Sequence, residues 1–222
     1  MARIFDCSAD AELLPGMRLA RAAIGRGELV VLPTDTVYGV GADAFDPDAV
    51  QRLLDAKGRT RQSPPPVLVP GIPTLDALAE TVPPAIRDLV TEFWPGPLTV
   101  ILPARRSLSW DLGETGGTVA LRMPDQRIAL ELLAETGPLA VSSANRTGRP
   151  PATTAQHAFD ELGDSVEVYL DGGPTPGSVP STILDATALV TGTGPLRIVR
   201  SGVLSDDALR AVAPAAFAGT AP

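Results

Sequence analysis

Apolar positions recur along the chain at two spacings that alternate from segment to segment. After a short strand-like run over 3–6, Leu13, Met17, Ala20 and Ile24 return at helical steps and predict a helix over 9–24, ended by Gly25 and Gly27. Residues 28–33 read as a strand buried on both faces. Asp46 then caps a helix over 47–57 that begins with Pro47, carries Val50, Leu53, Leu54 and Lys57 on one face and stops at Gly58. Further strands are predicted over 67–69, 98–102, 118–123, 139–141, 166–170, 181–185 and 197–199. Helices are predicted over 74–79, 83–93, 125–135 and 153–162, with a last one capped by Ser205 and running to about 212. The Ala/Pro/Gly-rich stretch 214–222 is expected to be a disordered tail after a single domain over 1–213. Several strands are too close in sequence for parallel crossovers, so the expectation is α/β, a single-domain twisted open mixed sheet flanked by helices.

The polar residues fall where the apolar runs stop. The run ending at Leu32 gives way to Thr34, Asp35, Thr36 and Tyr38, and the run ending at Val141 gives way to Ser142, Ser143, Asn145 and Arg146. Ser181 and Thr182 open the strand over 181–185, and Arg200 follows the last strand. Within 118–123, Thr118 and Arg122 share a parity and hence a face. In a sheet covered on both sides, such an arginine needs an anion. Lys57, at the end of an apolar helix face, can run its stem over the core and present its ammonium at a cleft edge. The loop over 58–66 adds Arg59, Arg61 and Ser63 to the same chemistry. Trp94, at a rigid Pro/Gly corner, reads as a packing anchor, and Cys7 as a small buried residue.

Composition narrows the picture. With 222 residues, 44% hydrophobic and 20% charged, the chain is globular, and no run approaches a membrane span or a signal peptide core. This points to the cytoplasm. One cysteine and one histidine exclude an internal disulfide and leave no structural zinc set or catalytic metal cluster to expect from the protein. A net charge of −8 disfavours nucleic acid as a bulk partner. The basic residues are 17 arginines and one lysine, and there is one asparagine, which makes Lys57 and Asn145 stand out.

Hydroxyls, one amide and several cations at strand ends suit a polyphosphate beside a small amphoteric molecule. They do not suit nucleophilic hydrolysis, since no nucleophile elbow accompanies His157. No Walker loop is present, and Gly39-Val40-Gly41-Ala42-Asp43-Ala44 fits the loose dinucleotide pattern without the acidic residue about twenty positions on.

The segments P-T-D-T-V-Y-G (33–39), K-G-R (57–59), W-P-G-P-L-T (94–99), V-A-L-R-M-P (119–124), S-A-N-R-T-G-R-P (143–150), P-S-T-I-L-D (180–185) and I-V-R-S-G (198–202) resemble the YrdC-like threonylcarbamoyl-AMP synthase family, in order and over nearly the whole chain. The resemblance implies a YrdC-like domain with a concave basic cavity. It implies a nucleotidyltransferase that makes threonylcarbamoyl-AMP and pyrophosphate from L-threonine, bicarbonate and ATP, magnesium arriving with the nucleotide, for the t6A modification of tRNA. It assigns Thr34, Thr36, Arg122, Ser142 and Ser181 to threonine or its carbamate, and Lys57, Arg59, Ser63, Thr118, Ser143, Asn145 and Arg200 to ATP, with Lys57 and Arg59 as the catalytic cations. Partners implied are the t6A transferase complex, by transient hand-over, and at most weak contact with RNA. Many relatives carry a proline after K-x-R and a histidine soon after; here Thr60 follows and 64–69 holds no histidine. Two-domain relatives continue into a further domain, so closure of the cavity is expected from this chain's own loops. A non-catalytic RNA-binding or regulatory module on the same fold is the alternative.

Overall fold

Ten strands among the described residues join one sheet. The computed structural model describes residues 2–218. The strands are β1 (Arg3–Asp6), β2 (Val30–Leu32), β3 (Gly39–Asp43), β4 (Val67–Leu68), β5 (Leu98–Pro103), β6 (Thr118–Arg122), β7 (Leu139–Ser143), β8 (Val168–Asp171), β9 (Thr182–Asp185) and β10 (Arg197–Arg200), in the spatial order β1-β8-β2-β3-β7-β4-β6-β5-β9-β10. β1 and β2 run parallel to β8, β4 to β6 and β5 to β9, while the other neighbours are antiparallel, so the sheet is mixed as expected.

Side-chain alternation decides what each face meets. In the β1-to-β7 half, Val30, Val168, Leu170, Leu139 and Val141 pack on one side with Met17, Ala20 and Ile24 of α1 (Asp10–Ile24) and with Leu132 and Leu133 of α5 (Arg127–Thr136). Leu29, Val31, Val40, Ala42 and Tyr169 pack on the other with Leu53 and Leu54 of α2 (Pro47–Lys57) and Ala155 and Ala158 of α6 (Ala155–Leu162). Both faces are covered, which is why these strands read as continuous apolar runs. In the other half, Leu98, Val100, Leu102, Leu121 and Leu184 face a core built with α3 (Ile72–Leu78), α4 (Pro84–Phe93) and α8 (Asp206–Val212). The opposite parity there, Thr99, Ile101, Thr118, Ala120, Arg122 and Ile183, lines a cavity.

Three expectations need correction. The tail over 214–222 was expected to be disordered, but α9 (Pro214–Ala218) is helical, with Ala216 and Phe217 buried in the core beside Leu196. The Leu196 amide donates to the Ala216 carbonyl at 2.8 Å, so burial of one aromatic ring fixes a segment whose composition alone argues for disorder. Residues 219–222 lie outside the described residues. Second, β3 runs where no strand was predicted, because its glycines leave no alternation to read. Their absent side chains are what permit it: a Cβ on Gly39 would sit 2.5 Å from Val141 Cγ1, and one on Gly41 3.3 Å from both Leu32 and Val141. Third, the short helix α7 (Thr187–Thr191) was not anticipated. Trp94 is the expected anchor, buried with its indole N–H donating to the Leu98 carbonyl at 2.7 Å, and Cys7 is buried.

Candidate active site

The cavity occupies about 520 Å³, and none of its lining residues lies in a helix. The ends of β2, β6, β7, β9 and β10 open into it, and the loops over 58–66 and 105–117 wall its side. Those two loops are joined: the Arg61 guanidinium donates to both Asp111 carboxylate oxygens at 2.6 and 2.8 Å, and the Glu114 amide donates to the Arg61 carbonyl at 2.7 Å.

Arg122 is the most constrained cation in it. Its side chain is 8% exposed, and it donates from Nε to the Gly96 carbonyl at 3.0 Å, from Nη1 to Thr36 Oγ1 at 3.0 Å and from Nη2 to Asp35 Oδ1 at 2.5 Å. Of the five N–H groups of a guanidinium, two remain, one on each terminal nitrogen. Burial lowers its pKa, and the charge and hydrogen bond of Asp35 act against that. Asp35 also accepts from the Asp125 amide at 3.0 Å, while its Oδ2 is buried without a partner. Thr34 and Thr36 are buried side by side, Oγ1 to Oγ1 3.1 Å, with Thr34 Oγ1 donating to the Val37 carbonyl at 2.6 Å and accepting from the Thr36 amide at 3.1 Å. The P-T-D-T turn is thus folded around its own hydroxyls.

Two more guanidiniums line the same hollow. Arg59 donates from Nη1 to Ser142 Oγ at 3.0 Å, and Arg200 donates from Nη2 to the Ser181 carbonyl at 2.7 Å and to Ser181 Oγ at 2.9 Å. Ser181 Oγ lies 2.9 Å from Thr99 Oγ1. Burial first, then the charges on Arg122 and Arg59, lower the Arg200 pKa, and burial lowers that of Arg59. Three guanidiniums thus border a hollow whose lining, among the described residues, holds no carboxylate, an arrangement chemically suited to receiving an anion. Ile101 pairs with Ala120, and Thr99 with Ile183, so the same face carries an apolar wall beside the polar one. A small zwitterion and a nucleotide need both.

Residues 22–202 match the profile of the Sua5/YciO/YrdC family, described as telomere recombination. The chain belongs to the Sua5/YciO/YrdC family. Among its relatives, a Mycobacterium tuberculosis protein provisionally named as a threonylcarbamoyl-AMP synthase is 48% identical over 212 residues, 96% of this chain and 95% of the relative. The threonylcarbamoyl-AMP synthase of Pyrococcus abyssi is 41% identical over 174 residues, 77% of this chain and 51% of the relative. Of solved structures, that of P. abyssi Sua5 complexed with L-threonine superposes with a TM-score of 0.86 at 35% identity, covering 96% of this chain and 60% of that one.

In this Sua5/YciO/YrdC member, Thr34, Thr36, Arg59, Thr118, Arg122, Ser142, Ser143, Asn145, Ser181 and Arg200 line the one cavity. Thr118 Oγ1 donates to the Thr115 carbonyl at 2.8 Å, and the Asn145 side-chain amide donates to the carbonyls of Arg146 and Arg149, both at 2.8 Å, leaving a buried Oδ1 without a partner. Two assigned residues are not brought there. Ser63 is exposed outside the lining, because Pro64, Pro65 and Pro66 take the wall position. Lys57 is 1% exposed and also outside the lining: its ammonium donates to the carbonyls of Ser143 and Asn145 behind the wall, the second at 2.6 Å. Sequence reasoning missed Thr99, Thr115 and Thr147, which line the cavity as well. Thr99 had a signal, a hydroxyl inside the apolar strand L-T-V-I-L, whereas Thr115 and Thr147 sit on loops with no periodicity to read.

Proposed function

We infer that the protein is a threonylcarbamoyl-AMP synthase, joining L-threonine, bicarbonate and ATP into threonylcarbamoyl-adenylate with release of pyrophosphate. The observation that carries this is the convergence of Arg59, Arg122 and Arg200 with the hydroxyls of Thr34, Thr36, Ser142, Ser143 and Ser181 on one cavity large enough for both substrates. The relatives' names and the threonine complex support the same reading.

In this reading the two free N–H groups of Arg122 take the threonine carboxylate as a fork, with Thr36 and Ser181 beside it. The threonine amine attacks the bicarbonate carbon, water departs and a carbamate forms. A carbamate oxygen then attacks the α-phosphorus as the bond to the β-phosphate breaks, and pyrophosphate leaves. Arg59 and Arg200 hold the phosphates and offset the charge that gathers when two anions approach. Thr118, Ser143 and Asn145 orient the nucleotide. The lining offers no carboxylate, so magnesium accompanying the triphosphate would be held by phosphate oxygens. The product would pass to the t6A transferase complex in the cytoplasm; among the described residues no helix is long and apolar enough to cross a membrane.

The RNA-module alternative lacks a stacking platform. Tyr38 is the single aromatic residue of the lining, and it is fully buried with its hydroxyl donating to the Gly173 carbonyl at 2.6 Å. Pyrophosphate release tests the reading. It should require ATP, threonine and bicarbonate together, and release that ignores threonine would sink it.

A further inference from the structure

The chain holds one lysine, and it does not reach the cavity. Lys57 ends α2, and three bonds tie it to the segment leaving β7. Its Nζ donates to the Ser143 carbonyl and, at 2.6 Å, to the Asn145 carbonyl, while its own carbonyl accepts from the Thr147 amide at 2.9 Å. The grip falls on residues 143, 145 and 147, which present their other atoms to the cavity along with Gly148 and Arg149. The chain then turns left-handed at Gly58 (φ 63°), and the Arg59 amide closes back on the Leu54 carbonyl at 2.8 Å. This brings the Arg59 side chain into the cavity beside Ser142. Lys57 therefore stands behind the wall and Arg59 in front of it.

An ammonium has three N–H groups, and two of these are given to the carbonyls of Ser143 and Asn145. Lys57 is 1% exposed and is not part of the lining, so for its remaining N–H to touch a phosphate in the hollow the ammonium would have to move off both acceptors. We propose that Lys57 is a positioning residue: its ammonium sets the course of the 143–147 segment against the nucleotide and does not touch the phosphates. The proposal rests on the nucleotide reading of the cavity.

The test is Lys57→Gln, which shortens the reach and removes the charge. In the ligand-free variant the Thr147 amide should exchange with solvent about tenfold faster or more, because its turn is no longer pinned. The KM for ATP should rise about tenfold, with the KM for threonine within about twofold. A general loss of folded protein would lower turnover without that split. Unchanged Thr147 protection together with lost ATP binding means direct phosphate contact and overturns the proposal. Should the variant not fold, the wild type decides, since lysine labelled with ¹⁵N gives a single side-chain signal in this chain. In the ATP complex, Nζ should show coupling across hydrogen bonds to the carbonyl carbons of Ser143 and Asn145. Coupling to ³¹P instead overturns the proposal. A protein that bound no ATP would fail the nucleotide reading, and Thr147 exchange in the variant would still decide the grip itself.

Discussion

Arg122 has two N–H groups to spare, and in the proposed reading the geometry of that pair counts for more than its charge. Arg122→Lys keeps the cation and loses the fork, so the KM for threonine should rise at least about tenfold with little change for ATP, as steady-state kinetics would register. Equal effects on both substrates would argue that Arg122 serves the fold alone. Lys57 gives a second prediction at this scale. Burial first, then the charge on Arg59, lower its pKa from 10.5 to about 7. Between those values the unfolded chain binds a proton that the folded chain does not, so stability rises with pH from about 7 upward. Cys7 acts the other way: burial and nearby Asp171 raise its thiol from 9.0 to about 11, so the folded protein keeps a proton that the unfolded one sheds, and stability falls above 9.0. The urea midpoint should therefore climb from pH 7 to pH 9 and climb less in Lys57→Gln; a flat wild-type profile would deny that burial lowers the Lys57 pKa. That Lys57 and Asn145 were singular could be read from composition. Where the ammonium went could not, since its acceptors are backbone carbonyls 86 and 88 residues away, and any sequence supplies carbonyls.

Among the elements, the exit of α2 and the entry to β3 carry the site. Gly58 at φ 63° has no atom within 4 Å of an added Cβ, so Gly58→Ala is a test of backbone strain alone. It should cost about 1 kcal/mol, roughly 2–4 °C in melting temperature for a chain of this size, and should weaken ATP binding through Arg59. Gly39 is different. It lines the cavity, and a methyl there would meet Val141 at 2.5 Å, so Gly39→Ala should disturb the pairing of β3 with β7 and the placing of Ser142 and Ser143. Periodicity found α1, α2, α4 and α5 because each buries one apolar stripe, and it placed the capped starts at Asp46 and Ser205, whose side chains accept from their helix amides. It failed on β3 and α7, which have few large side chains to carry a pattern. It left 58–66 and 105–117 as loops, which they are, but could not join them, since that joint depends on Arg61 meeting Asp111. Both partners are 44% exposed, so that pair contributes to loop placement more than to stability.

For the molecule as a whole, α9 closes the core of the cavity-bearing half. Phe217 packs there beneath the Arg210 guanidinium, 4.7 Å from the ring centroid, and Phe217→Ala should cost about 3 kcal/mol or more. A calorimetric melt would show this, with threonine and ATP affinities of the folded protein unchanged. The sequence alone determined the α/β class, the mixed sheet and the residue types of the site, because buried strands, amphipathic helices and polar strand ends are local patterns. It could place Thr118 and Arg122 on one face from parity. Tertiary structure decided which strand face lined the cavity and which cations stood in the hollow or behind it. It also decided that a tail of small residues would fold. Each depends on contacts between segments far apart in the chain, where a residue's type says which groups it offers and only packing says which partner it meets.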